Sequence, residues 1–194
     1  LERAVYLTVA GQHGGAFSGE ALERLHSALT SQRDPNRPLL IDNVCRVPVI
    51  VQATLQVDDR HVRKDVLKAA RAALLDYFAF EQMAFARPIH LSDIYSVLQN
   101  SRGVVSVDID VLHLKGYSGW TPTQRAARGV TAAAVQEHIR IFEARPHAGT
   151  ASIVDPVVLA CFASRPIPEV LPAEQAFIEA EAGDLLLTAT GGLE

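Results

Sequence analysis

Two cysteines in 194 residues are too few for a disulfide scaffold. Cys45 and Cys161 fit a reducing compartment, and Cys45 is expected as a buried structural cysteine. No apolar run approaches the roughly 18 residues that read as a membrane span, and no signal peptide is visible. Cationic charge is also short. Eighteen Lys and Arg against 22 Asp and Glu leave a formal net charge of −4, which argues against nucleic acid as the main partner. The seven histidines are His13, His26, His61, His90, His113, His138 and His147. None pair at i, i+3 or i, i+4, and there is no Cys-x-x-Cys, so metal-ligand spacing is absent. The glycine-rich stretch GQHGGAF carries neither G-x-G-x-x-G nor G-x-x-x-x-G-K-[ST] spacing and reads as a mobile loop.

What is present is ordinary for a globular chain: 48% hydrophobic and 21% charged residues. That excludes disordered and collagenous classes. A chain of this length buries roughly 70% of its unfolded surface, enough for one domain or two small ones. It begins with Leu1 rather than methionine and reads as strand by Val5, which suggests a piece cut from a longer polypeptide.

Alternation predicts a strand over Ala4 to Ala10. Ser18 is the expected N-cap of a helix whose apolar stripe is Leu22, Leu25 and Leu29. Asp34-Pro35 should stop that helix near Arg33, and Pro38 to Ile41 reads as a short strand. Val47 to Val57 is the clearest strand. Val47, Val49, Val51, Ala53, Leu55 and Val57 point one way, while Gln52, Thr54 and Gln56 point the other. A helix over about 60 to 80 follows, with Val62, Val66, Ala69, Ala70, Ala73, Leu74 and Tyr77 inward. A shorter one is predicted from Leu91 to Gln99, with Ile94, Val97 and Leu98 inward. Gly103 falls where a left-handed residue is expected. The next strand, within SRGVVSVDIDVLHL, should place Val105, Val107, Ile109 and Val111 on one face and Ser106, Asp108 and Asp110 on the other. Beyond Lys115, residues 131 to 143 form one expected amphipathic helix. Residues 153 to 162 and 184 to 190 form expected strands, joined by the proline-rich link RPIPEVLPAEQ.

The implied class is α+β: two small αβ subdomains with largely antiparallel sheets covered by helices, plus a C-terminal extended arm. Their bounds are 1–43, 44–116 and 117–194, and the last third is expected to be an appendage with few internal contacts.

Asp108 and Asp110 are the pair most like a chemical site, with Cα atoms roughly 6.5 to 7 Å apart on one strand face. With further oxygens they would hold a divalent cation and support a metal-assisted hydrolase or transferase. The plainer reading, two solvated charges on an open sheet face, is favoured. Cys45 lacks a local histidine base and is not expected to act as a nucleophile. Arg60, Arg63, Lys64, Lys68 and Arg71 recur on one side of the long helix. They are read either as a solvated face or as a docking surface for an acidic partner. No catalytic, cofactor-binding or metal-binding residue is assigned. A free-standing α+β ligand-binding module is the other alternative.

Three segments then carry a resemblance, in order across roughly residues 4 to 114. They are GGAFSGEALERLHSALTSQRDPNRPLLI, VPVIVQATLQVDDRHVRKDVLKAARAALLDYF and FARPIHLSDIYSVLQNSRGVVSVDIDVLHL. The chain resembles the C-terminal region of baseplate J-family proteins, the baseplate assembly proteins of contractile tails and phage-like injection particles. The segments are patterns of packing residues, so the likeness lies in their order and spacing. Ala86 departs from it, standing where glycine is expected between the aromatic and the Arg-Pro pair. LPAEQAFIEAEAGDLLLTATGG is similar to the family's closing segment. The resemblance implies a non-enzymatic wedge subunit of the baseplate that needs no cofactor. Its implied partners are other wedge subunits and the central hub or spike, with self-association in a ring and no nucleic acid or membrane. Its implied place is the virion or phage-like particle, assembled in the bacterial cytoplasm.

Overall fold

The computed structural model describes residues 4–33, 37–147, 149, 154–179 and 183–194. Its spine is one 18-residue strand, β3 (Cys45–Val62), longer at both ends than the alternation alone suggested. Its odd-numbered residues from Cys45 to Val57 are buried, while Gln56 lies exposed on the opposite face. One flank of β3 receives β5 (Val104–Leu114) antiparallel. The other flank receives two strands end to end, β9 (Glu174–Phe177) and β10 (Leu185–Leu193), both parallel to it. The fold is α+β, but its sheets are mixed rather than largely antiparallel. Strands β1 (Val5–Val9) and β2 (Leu39–Asn43) also pair parallel, because the intervening helix α1 (Gly19–Thr30) returns the chain in the same direction.

Three helices arise as their patterns predict. The Ser18 hydroxyl caps α1 by accepting from the Ala21 N–H. The Asp34-Pro35 stop lies outside the described residues. Helix α2 (Arg63–Tyr77) starts later than the pattern suggested, because Asp58 to Val62 stay in β3. It buries Val66, Ala70 and Leu74, while Val62 and Ala69 are left exposed. Helix α3 (Leu91–Gln99) buries Ile94 and Leu98, with a two-residue strand β4 (Ile89–His90) leading into it. These side chains share one core with the inward face of β3. Gly103 has φ +91, and a Cβ there would meet His61 and Val66 at 2.9 Å.

Strand β5 departs from simple alternation. Its partners on β3 skip Asp110 and Val105, so each is an extra residue in a bulge. The bulge at Asp110 reverses the facing: Ile109 points in, and so do Leu112 and Leu114, while Val111 and His113 are only half-buried.

The last third is not an appendage. Helix α4 (Pro122–Arg128) is followed by short strands β6 (His138–Ile139), β7 (Arg145–Pro146) and β8 (Val170–Leu171), with helix α5 (Pro156–Cys161) between the last two. Ile139, Ile141, Val157, Ala176 and Leu185 all join the main core. The helix expected over 131 to 143 does not form. Leu112 donates to the Ala134 carbonyl and accepts from the Gln136 N–H, so this segment's backbone is spent on the edge of β5. The Tyr117 hydroxyl donates to the Thr131 and Ala133 carbonyls, fixing the same stretch open. The strand expected over 153 to 162, whose first residue lies outside the described set, is instead α5. Asp155 caps the Val157 and Val158 N–H groups and Pro156 occupies the first turn.

The cysteine reading is also corrected. Cys45 at the head of β3 and Cys161 at the end of α5 are disulfide-bonded, with Cα atoms 5.9 Å apart.

Candidate interaction surface

The five cations picked from the sequence do not form one helical face. Arg60 lies in β3, before the helix begins. Its Nε and Nη2 donate to the two carboxylate oxygens of Asp58 at 2.9 and 2.6 Å. That side-chain hydrogen bond, more than the backbone one from the same residue, holds the Asp58 carboxyl far below the usual range. Arg63 and Arg71 turn toward β10 instead. Arg63 Nε donates to the Gly191 carbonyl at 2.7 Å, and Arg71 Nη1 donates to the Leu185 carbonyl at 2.8 Å. Lys64 and Lys68 remain exposed and make no salt bridge among the described residues.

Lys64, Lys68 and Arg71 line one wall of an open cleft of about 580 Å³ whose other wall is Leu185 to Leu187. Asp65 and Leu67 complete the helical side. The strand wall is the last of its sheet, because the order β10–β3–β5 puts β10 at one end. The direction of its backbone groups follows from one bond. The Val51 N–H donates to the Asp184 carbonyl, so even-numbered residues of β10 bond to β3 and odd-numbered ones face away. The two carbonyls taken by arginine, at 185 and 191, belong to the outward set. Between them lie the outward groups of Leu187 and Ala189.

Asp108 and Asp110 are both exposed on the outer face of the same sheet. Thr54 donates its hydroxyl hydrogen bond to Asp110 at 3.1 Å, and Thr54 and Thr188 hydroxyls meet at 3.0 Å. Asp108 lies opposite Thr54 in the ladder. Among the described residues, no group of three or more His, Cys, Asp and Glu is placed to hold an ion. His13 contacts Glu81 at 2.7 Å, the His90 and His138 rings pack at a tilt with centres 4.8 Å apart, and His113 stacks on Tyr117.

One cluster had no counterpart in the sequence reading. Arg128 is fully buried, and it pairs with Glu174 through both terminal nitrogens at 2.9 Å and with Asp155 at 3.1 Å. Arg145 bridges the same two acids at 3.2 and 3.3 Å. Burial alone would lower the Arg128 pKa, but the hydrogen bonds and charges of Glu174 and Asp155 outweigh it and raise the value. The four residues come from separate segments. Only Asp155 carried a local signal, as an Asp-Pro helix start.

No helix among the described residues is long and apolar enough to cross a membrane. No family model and no curated protein matches the chain.

Proposed function

We propose that this chain is a structural assembly subunit, a wedge component in the baseplate of a contractile tail or phage-like injection particle, with no catalytic role. The observation that carries the reading is the amount of sheet left open to partners. Gln56, Ser106, Asp108, Asp110, Thr188 and Thr190 stand exposed on one face of β10–β3–β5, and β10 ends the sheet on one side. Exposed faces and edges of small sheets are the surfaces on which neighbouring chains pair. The resemblance supplies the setting. Its most telling pieces fall on consecutive elements of one core: β3 running into α2, the Arg87-Pro88 turn into α3, and Gly103 opening β5. On this reading the chain meets other wedge subunits and the hub, and a repeated contact closes a ring by symmetry.

The test is to purify contractile particles from the source cell and probe them for this chain. The expected result is co-sedimentation with sheath and tube and loss of assembled particles when the chain is deleted. Complete particles formed without it would overturn the reading.

A further inference from the structure

We propose that the cleft between α2 and β10 takes an extended acidic segment of a partner protein, which adds to the sheet as a strand beside β10. This deepens the assembly reading by naming the chemistry of one contact, and it rests on that reading for the existence of a partner.

The two edges of the sheet differ in the way that matters. Bulges at Val105 and Asp110 break the β5 edge, and Leu112 is already bonded to the 134–136 segment. Bulged, covered edges resist pairing. The β10 edge keeps an unbroken register from Leu185 to Gly191. Arg71 and Arg63 cap its outward carbonyls at the two ends, and so mark out a window in which Leu187 and Ala189 present two N–H donors and two C=O acceptors. Among the described residues nothing pairs with these four groups. Such a window fits a short strand, whose main-chain bonds supply affinity while alternate side chains supply specificity.

Charge selects the occupant. Lys64 and Lys68 project from α2 at the rim without an acidic partner, and Asp65 is the one acid lining the cleft. An incoming strand with Glu or Asp at alternate positions would place its carboxylates toward the lysines. A second copy of β10 brings the same lysine rim with it, so self-pairing sets like charges together.

The experiment uses the whole chain and a capped heptapeptide alternating glutamate and valine, with the lysine–valine peptide as control. Amide exchange is followed by NMR. The acidic peptide is expected to protect the Leu187 and Ala189 amides roughly tenfold or more, and the basic peptide to leave them unchanged. K64E/K68E should weaken the acidic peptide roughly tenfold. Ala189→Pro removes an outward donor that edge strands tolerate losing, and it should abolish protection while leaving thermal unfolding unchanged. Should that variant fail to fold, the lysine double variant and the wild-type exchange pattern decide alone. Equal binding of both peptides, shifts confined to the lysines, or protection arising from dimerisation without peptide would each overturn the proposal. In particles, K64E/K68E with normal incorporation would sink this contact and leave the assembly reading standing, whereas a chain never incorporated would sink the assembly reading itself.

Discussion

Replacing Arg128 by methionine should be among the most damaging single changes in the molecule. The guanidinium is fully buried and answers two acids, Glu174 and Asp155, whose side chains are 2% and 5% exposed. Methionine keeps much of the volume against Phe142, whose ring centre lies 4.7 Å from the guanidinium carbon, so the packing loss is modest. The electrostatic loss is not. Two buried carboxylates would be left to Arg145, at longer distances of 3.2 and 3.3 Å. Breaking a buried pair by removing one partner costs about 3–5 kcal/mol, a large share of the roughly 5–15 kcal/mol that holds a domain together. Urea unfolding followed by tryptophan fluorescence at Trp120 should show the midpoint falling by roughly 1–2 M. Arg128→Met/Glu174→Gln should recover about 1 kcal/mol or more, because the uncompensated carboxylate is gone. A loss below about 1 kcal/mol for Arg128→Met, with no recovery in the double variant, would refute the argument that this network locks the C-terminal third to the core.

Ala86 has φ +59, the left-handed geometry that glycine accepts freely, and its N–H is held by the Glu174 carbonyl at 2.8 Å. Ala86→Gly should therefore raise stability by about 0.5–1 kcal/mol in thermal unfolding, the relief of strain exceeding glycine's added chain entropy. The Cys45–Cys161 bond spans 116 residues, for which chain entropy gives at most about 5 kcal/mol. Urea curves with and without reductant should separate in that direction, and Cys45→Ala/Cys161→Ala should reproduce the reduced curve. His138 has its pKa lowered, first by burial and then by the charges of His90 and Arg140. Its folded value lies below its unfolded one, so the folded state resists protonation. Stability should fall as pH drops from about 6.5 through the folded value, and His138→Asn should flatten that part of the profile.

The elements that the sequence made legible are those whose neighbours are close in the chain. The period-2 run of Val47 to Val57 names the buried face of β3 correctly, since one face of that strand packs on α2 and α3 whatever the rest does. Ser18 capped its helix as expected because capping is local. Where sequence reasoning failed, a distant partner had decided the outcome. Residues 131 to 143 have a helical pattern, yet their backbone bonds go to Leu112 and their carbonyls to Tyr117. Residues 156 to 161 look like an apolar strand, and an Asp-Pro start that alternation ignores makes them a helix. Nothing near Cys45 points to Cys161, and nothing near Arg128 points to Glu174. The departure at Ala86 was readable as the place where glycine belongs, and its positive φ gives the reason.

The same long-range logic governs the cations. Lys64, Lys68 and Arg71 fall on the polar side of a helix, which by itself says only that this side meets water. They become a surface with direction once β10 lies beside them, and β10 comes from the segment read as a loose arm. That strand is tethered at its start, where Lys115 pairs with Asp184 at 3.0 Å and Glu179 at 2.8 Å. Upstream of it, β9 carries Glu174, the acid on which Arg128 and Arg145 converge. The lock and the open edge are therefore successive parts of one strand path along β3. Loosening Arg128 should make the β3-bonded Leu186 and Thr188 amides exchange faster even without a peptide, since a strand edge recruits a partner only while its own sheet holds it extended.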